Sequence, residues 1–357
     1  MNNKYSVIGL MSGTSLDGLD IVACSFKENN NKWEYKICFA ETVQYAKNWI
    51  ERFSLPYTVN SEELMHLHQD YGVYLGQLVK AFLQKTKFEP DLICSHGHTI
   101  LHQPEKGITF QVGLGSKIAE ECKKTVVSDY RSLDVELGGQ GAPLVPIGDR
   151  CLFSEFGACL NLGGFANISF ERNGDRIAYD ICPVNIIMNR IANNLGQSYD
   201  KDGGFASNGA IDEELLKKLD ELEYYKRQTP KSLGREWLEK EVIPLIDSFD
   251  INSHDLLRTL CEHCARQIVF SVKSIGGVVN NKVLVTGGGA FNDFLMSRLN
   301  RLMPNYFIVP EEITVNYKEA LVFGFLGVLK YRGEINCLSS VTGASKDSST
   351  GIVYLVE

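Results

Sequence analysis

Val7-Ile8-Gly9-Leu10-Met11-Ser12-Gly13-Thr14-Ser15-Leu16-Asp17-Gly18-Leu19-Asp20 is the stretch on which the reading of this chain turns. An apolar run from Tyr5 to Leu10 leads into it, and a second run from Ile21 to Phe26 leads out. Two such runs joined by a short Gly-rich segment predict a β-hairpin. Glycines at 9, 13 and 18 let the backbone turn and let an anion approach the main-chain N–H groups. Ser12, Thr14 and Ser15 add hydroxyl donors, and Asp17 and Asp20 have the chemistry to orient a divalent cation, directly or through water. A turn whose Asp and Ser residues serve only turn chemistry explains the same letters. On these residues alone both readings stand. A P-loop is excluded, because no Lys-Ser/Thr pair follows and the next segment is a strand.

The same theme returns twice. Gly157 to Leu162 and Phe165 to Phe170 form a second predicted hairpin around Gly163-Gly164. The buried run Val283 to Thr286 ends in Gly287-Gly288-Gly289-Ala290-Phe291-Asn292 ahead of a helix from Asp293 to Met303. Strand, glycines and helix N-terminus together make an anion or nucleotide site. Three Gly-rich turns, each at a strand end, favour phosphate handling. Ile177-Ala178-Tyr179-Asp180 is read as a strand delivering Asp180 to its carboxyl end, before a helix opened by Pro183. A carboxylate there can take a proton from a nucleophile during phosphoryl transfer; a helix-capping Asp is the plainer alternative.

The 357 residues are long enough for about two domains. The formal net charge of −8 argues against a nucleic-acid partner, which needs a basic stripe. No apolar run reaches the ~18 residues of a membrane helix, and the first residues enter a strand at once, so neither a membrane anchor nor a signal peptide is expected. Ten cysteines are scattered singly, mostly in apolar runs, as reduced core residues of a cytoplasmic protein are. Cys261 and Cys264 have CxxC spacing, but they fall inside a predicted helix over 253–276, which favours core packing over metal or redox chemistry. His96, His98 and His102 lack a matching ligand set, so hydrogen bonding is preferred over zinc. Leu137 to Leu144, with Gly138, Gly139 and Gly141, reads as a hinge or ligand loop. Asp129 and Arg131 read as a surface pair or as binders of a polar substrate. The expected division is residues 1–134 with 338–357 as one domain and 135–337 as the other.

Taken together, these stretches resemble the anhydro-N-acetylmuramic acid kinase family, a branch of the actin/hexokinase-like ATPases. Gly9 to Asp20 is similar to that family's signature almost without change. Ser95-His96-Gly97-His98-Thr99, Ser128-Asp129-Tyr130-Arg131, Gly138 to Leu144, Asn161 to Ile168, Gly287 to Asn292, Lys318-Glu319-Ala320 and Val341 to Ala344 match in order. The resemblance implies an α/β fold of two actin-like (ribonuclease H-like) domains with a nucleotide cleft between them, in a homodimer. It implies ATP and Mg²⁺, and a small amino-sugar substrate. Water would attack the anomeric carbon of 1,6-anhydro-N-acetylmuramic acid while O6 takes the γ-phosphate, in cell-wall sugar recycling.

Carried over residue by residue, Gly13, Thr14, Ser15, Asp17, Gly18 and Asp20 would hold phosphates, with Asp17 and Asp20 at the metal. Gly163, Gly164, Gly287, Gly288, Gly289 and Asn292 would complete the nucleotide site. Thr99, Asp129, Arg131 and Asn185 would lie near the sugar, and Asp180 would be the base. The family reads Asp-Thr-Gly-Pro-Gly-Asn around that base; here it is Asp180-Ile181-Cys182-Pro183-Val184-Asn185. His98 stands where the family has Gln, and Tyr130 where Phe is commoner. Two rivals follow: a kinase of a different amino sugar or anhydrosugar, and a non-catalytic sensor on the same fold.

Overall fold

The computed structural model describes residues 3–14, 16–30, 32–276 and 282–356. Ser15, expected in the phosphate loop, and Asn31, expected at a hairpin tip, lie outside the described residues. By packing the chain divides into two compact units, residues 1–152 with 317–357 and residues 153–316.

In the first unit, β1 (Lys4–Ser12), β2 (Leu19–Asn29) and β3 (Lys32–Val43) form an antiparallel meander, with Ser12 paired to Leu19 across the expected turn. On the other side of β1 come β4 (Leu92–Gln103) and then β6 (Thr125–Ser128), both parallel to their neighbours. Parallel strands are covered on both faces, which is why Val7 to Leu10 and Leu92 to Cys94 are continuously apolar. Ile8, Leu10, Ile93 and Val126 share one core with Leu64, Tyr71, Leu75, Val79 and Phe82 of the helix Glu62–Thr86. Ser61 caps that helix by accepting from the Leu64 N–H at 3.2 Å. On the opposite face Val7, Cys24 and Cys94 meet the helix Glu312–Tyr331, which approaches through Gly324 and Gly327. β5 (Ile108–Val112) pairs with β4, and β12 (Ile352–Tyr354) completes the sheet beyond β6.

The second unit repeats the plan. β7 (Ala158–Leu162), β8 (Phe165–Arg172) and β9 (Asp175–Pro183) are antiparallel; β10 (Val283–Thr286) and β11 (Phe307–Ile308) follow in parallel beyond β7. In both units two antiparallel strands lie to one side of the first strand and two parallel strands follow on the other, with β12 added antiparallel beyond them in the first unit. Two copies of this order are the actin-like, ribonuclease H-like α/β fold that was expected. The helix Ser253–Ser274 places Cys261 and Cys264 in the second core; its N-cap is Asn252, whose Oδ1 accepts from the N–H groups of His254 and Asp255.

The division between units differs from the expected 134/135 and 337/338. The helix Val145–Leu152 packs within the first unit: a Cβ on Gly148 would lie 2.6 Å from the Val322 methyls, and Asp149 pairs with Lys318 at 2.7 Å. Glycine and proline content marked the loop at 138–143, but this packing carries the first unit past it, to residue 152.

The tightest approach in the first unit is testable. A Cβ on Gly9 would sit 2.1 Å from the Ala320 carbonyl oxygen, so Gly9→Ala must displace the helix or the central strand. It is expected to cost on the order of 3 kcal/mol and lower the melting temperature by several degrees. Gly204→Ala is the control. Its Cβ meets nothing within 4 Å and its φ is −61°, so thermal melting should show no loss, or a gain of up to about 1 kcal/mol.

Candidate active site

The turn from β1 to β2 carries the first group of candidate residues. Gly13 is half-buried, Thr14 and Asp17 are exposed, and Leu16 adopts φ +60° with its N–H directed at the Gly13 carbonyl. Gly18 has a packing role: a Cβ there would stand 2.7 Å from the Val43 carbonyl. Asp20 lies on β2 opposite Thr42 of β3, whose hydroxyl donates to Asp20 Oδ1 at 2.6 Å. Burial raises the Asp20 pKa, the Thr42 hydrogen bond opposes this, and the nearby charge of Asp17 adds to the rise. Two carboxylates whose charges repel, one of them exposed, are hard oxygen donors suited to a divalent cation.

A buried polar chain anchors this turn from below. Ser12, the last residue of β1, meets His98 Nδ1 through its Oγ at 2.8 Å and accepts the Tyr45 hydroxyl at 2.6 Å. Tyr45 in turn meets the Tyr71 hydroxyl at 2.5 Å. The His98 ring stacks on Phe53, centroids 4.1 Å apart. Burial drives the His98 pKa down to about 4 and raises Tyr45 to about 12, so the chain is neutral at pH 7.

Thr99 follows on β4 and is half-buried. Asp129 is a local cap: at φ +61° its Oδ1 accepts from the Ser132 hydroxyl at 2.6 Å and from the Ser132 N–H at 3.3 Å. Arg131 donates from Nε and Nη2 to His96 Nε2 at 3.0 and 2.8 Å, and from Nη1 to the Gly141 carbonyl. His96 is therefore the Nδ1–H tautomer, facing the Gly97 carbonyl at 3.0 Å. Burial lowers the Arg131 pKa to about 10, which leaves it charged at neutral pH. Glu319 is exposed and lies within electrostatic reach of Arg131, Lys318 and Asp20. The sequence reading gave no part to Asp134. Fully buried, it accepts from the Gly141 N–H (2.8 Å), the Thr342 hydroxyl (2.7 Å) and the Cys337 thiol (3.0 Å), and so fixes the 138–141 loop. The only signal was its position six residues after Ser128.

In the second unit the two Gly-rich turns meet. Gly287, at φ +82°, would place a Cβ 2.5 Å from Asn161 Oδ1, and Gly289 would place one 2.8 Å from the Leu162 Cβ. The Gly163 and Gly164 carbonyls accept from the N–H groups of Asn185, Val184 and Ile186, which fastens the turn to the start of the helix Asn185–Asn193. The Asn185 amide donates to the Leu162 carbonyl at 3.0 Å. Asn292 spends its Oδ1 as the N-cap of the helix Asp293–Leu302, accepting from Leu295 N–H at 2.9 Å.

Asp180 requires a correction. It lies inside β9, not at its end, and Ile181 to Pro183 continue the strand instead of opening a helix. The ladder with β8 passes from Asn167–Asp180 to Ala166–Cys182, so Ile181 is the extra residue of a β-bulge. Bulges turn a neighbouring side chain off the regular alternation, and Ile181, Cys182 and Val184 are all buried in the second core. Asp180 itself is half-buried. Its Oδ2 accepts from the Leu233 N–H at 2.8 Å, and among the described residues Oδ1 accepts from none. Burial raises its pKa, opposed by the Leu233 N–H. A half-buried carboxylate with one free oxygen and a raised pKa has the properties of a general base.

A family model described as anhydro-N-acetylmuramic acid kinase matches residues 5–356. An anhydro-N-acetylmuramic acid kinase of Vibrio cholerae is 36% identical over 99% of both chains. Its counterparts in Shewanella sediminis and Shewanella pealeana are 34% and 33% identical, again over 99% of both. The chain belongs to the anhydro-N-acetylmuramic acid kinase family.

The His98 network predicts acid sensitivity. His98 ionises near 4 when folded and near 6.5 when unfolded. The unfolded state then binds the extra proton between these values, and stability is full above about pH 6.5 and lost as pH falls toward 4. A shift of this size is worth about 3 kcal/mol. Melting temperatures of the wild type should therefore fall more steeply from pH 7 to 4.5 than those of His98→Gln, whose side chain cannot take up a proton. Parallel curves would remove His98 from the acid response.

Proposed function

We propose that this member of the family is an ATP-dependent sugar kinase that opens 1,6-anhydro-N-acetylmuramic acid with water and phosphorylates O6, giving N-acetylmuramic acid 6-phosphate in cell-wall sugar recycling. The observation that carries the reading is end-to-end similarity to proteins of that name, 36% identical in one case over 99% of both chains; Asp180, with Oδ2 engaged by the Leu233 N–H, is the carboxylate that suits the base.

In the first unit, the backbone of Gly13, Thr14 and Gly18 would cradle phosphate oxygens, and Asp17 and Asp20 would hold Mg²⁺. The acidic pair fits the ion: burial, and to a lesser degree the Asp17 charge, disfavour the ionised Asp20, and a dication offsets both. Mg²⁺ neutralises phosphate charge when bound. In the second unit, Gly163, Gly164 and Gly287 to Gly289 would take the rest of the nucleotide. Asn292 would contribute through its place at the helix start, since its side-chain oxygen is already a cap. Thr99, Asp129, Arg131 and Asn185 would line the sugar. Arg131 retains unused N–H donors after binding His96 and Gly141, whereas Asp129 and Asn185 each bring one side-chain atom already engaged. Asp180 would accept the proton of water as its oxygen bonds to the anomeric carbon. The bond from that carbon to O6 breaks, and O6 receives the phosphoryl group.

A different sugar is the second reading, favoured by the departures at Ile181, Cys182 and Val184. All three are buried in the apolar core of the second unit, so they change packing behind Asp180 and not a ligand-facing surface. This supports the family's own sugar. The chain is proposed to act as a cytoplasmic homodimer; among the described residues no helix is long and apolar enough to cross a membrane.

Incubation with ATP and anhydro-N-acetylmuramic acid in ¹⁸O-water is expected to give a sugar phosphate labelled at the anomeric hydroxyl and not in the phosphate. A panel containing other anhydrosugars and amino sugars should be slower by about tenfold or more. Faster turnover of another sugar selects the second reading. Asp180→Asn should bind ATP normally and lose kcat by about 10²-fold or more; near-normal turnover would remove Asp180 from the base role.

A further inference from the structure

β9 is the edge of its sheet, and edge strands leave a row of N–H and C=O groups without ladder partners. In an antiparallel strand the N–H and C=O of one residue point to the same side. At Asp180 that side faces away from β8, and the segment after the helix Glu223–Lys226 covers it. The Asp180 N–H donates to the Lys231 carbonyl at 3.3 Å. The Asp180 carbonyl accepts the hydroxyl of Tyr224. The Leu233 N–H reaches the side chain, at Oδ2. One short segment thus binds Asp180 at three atoms and leaves Oδ1.

The Tyr224 ring is itself fixed. It is 1% exposed, packs on Trp237 with centroids 5.3 Å apart, and carries the Lys231 ammonium 4.7 Å from its centroid. The next residue, Tyr225, engages a different element. Its hydroxyl meets His263 Nε2 at 2.9 Å, and His263 Nδ1 meets Asp220 at 2.7 Å. Both His263 and the Gln267 amide, which also reaches Asp220 at 2.9 Å, sit on the helix Ser253–Ser274. The one-turn helix Glu223–Lys226 is therefore pinned both to the long core helix, through Tyr225, and to Asp180, through Tyr224. Such an arrangement holds a reactive group to within fractions of an ångström, the tolerance that proton transfer requires.

We propose that Tyr224 is a positioning residue for the reaction: by holding the Asp180 carbonyl it keeps the 224–233 segment on the strand edge, so that Leu233 engages Oδ2 and Oδ1 alone is left to receive the proton. This role rests on Asp180 being the base. Tyr224→Phe removes the hydroxyl and keeps the ring with its Trp237 and Lys231 contacts, so the variant should melt within about 2 °C of the wild type. Its kcat should fall about tenfold or more, with KM for sugar and for ATP within about twofold. Loosening the segment weakens the Leu233 N–H bond to Oδ2, which lowers the Asp180 pKa in the intact protein. The acid limb of kcat/KM should accordingly move to higher pH.

Steady-state kinetics against pH, on Tyr224→Phe and Asp180→Asn side by side, test this. A Tyr224→Phe enzyme with wild-type kcat, or with reduced kcat and an unmoved acid limb, overturns the positioning role while an inactive Asp180→Asn leaves the base in place. An Asp180→Asn enzyme with normal turnover overturns the base reading and the role of Tyr224 with it.

Discussion

The close passage of a helix over the middle of the first sheet sets what β1 can be. Gly9 leaves no room for a side chain beneath the Ala320 carbonyl, and Gly327 leaves none above Cys94. With the helix this near, β1 and β4 are buried on both faces, and a strand buried on both faces slips only at great cost. The register Ser12 to Leu19 is then fixed.

The first unit adds a second restraint of a different kind. Ser12 is the last paired residue before the turn, and it is held by a histidine 86 positions away and a tyrosine 33 positions away. Desolvated hydroxyl and imidazole groups cost free energy unless each finds a partner, so the chain Tyr71–Tyr45–Ser12–His98 is stable only when all four are in place. Asp134 does the same for the 138–141 loop, where one buried carboxylate collects an N–H, a hydroxyl and a thiol. Both Gly-rich loops are thus held by buried polar groups lying outside the loops themselves.

Much of the fold was legible because it is written in local patterns. Period-two and continuous apolar runs gave β1, β2, β7 and β8, and the glycine turns between them were read correctly. The Ser61 cap was equally local. What failed to show was whatever depends on partners distant in sequence. Pro183 looked like a helix start because proline favours that position, yet an edge strand tolerates proline as well, and the bulge at Ile181 leaves no letter of its own. The family resemblance made Asn185 and Asn292 ligand contacts; their side chains are also structural, one tied to Leu162 and one capping a helix. Tyr45 and Tyr71 carried no signal, since a buried polar network is visible only once its members are brought together.

The departures around Asp180 illustrate how a strand edge separates chemistry from packing. The bulge lets consecutive residues turn to the same side, so Ile181 and Cys182 both enter the core while Asp180 stays half-buried. On the core side, Ile181, Cys182 and Val184 are larger or more apolar than the threonine and glycines of the family pattern, and a core takes up such changes only when its neighbours repack around them. On the edge side there is no such latitude, because three hydrogen bonds of defined direction meet at one residue. The sequence around the base can therefore drift on one face of the strand while its geometry is held from the other. A carboxylate placed at such an edge owes its position to the segment that covers the edge, and this is why the covering segment matters to the chemistry at Asp180.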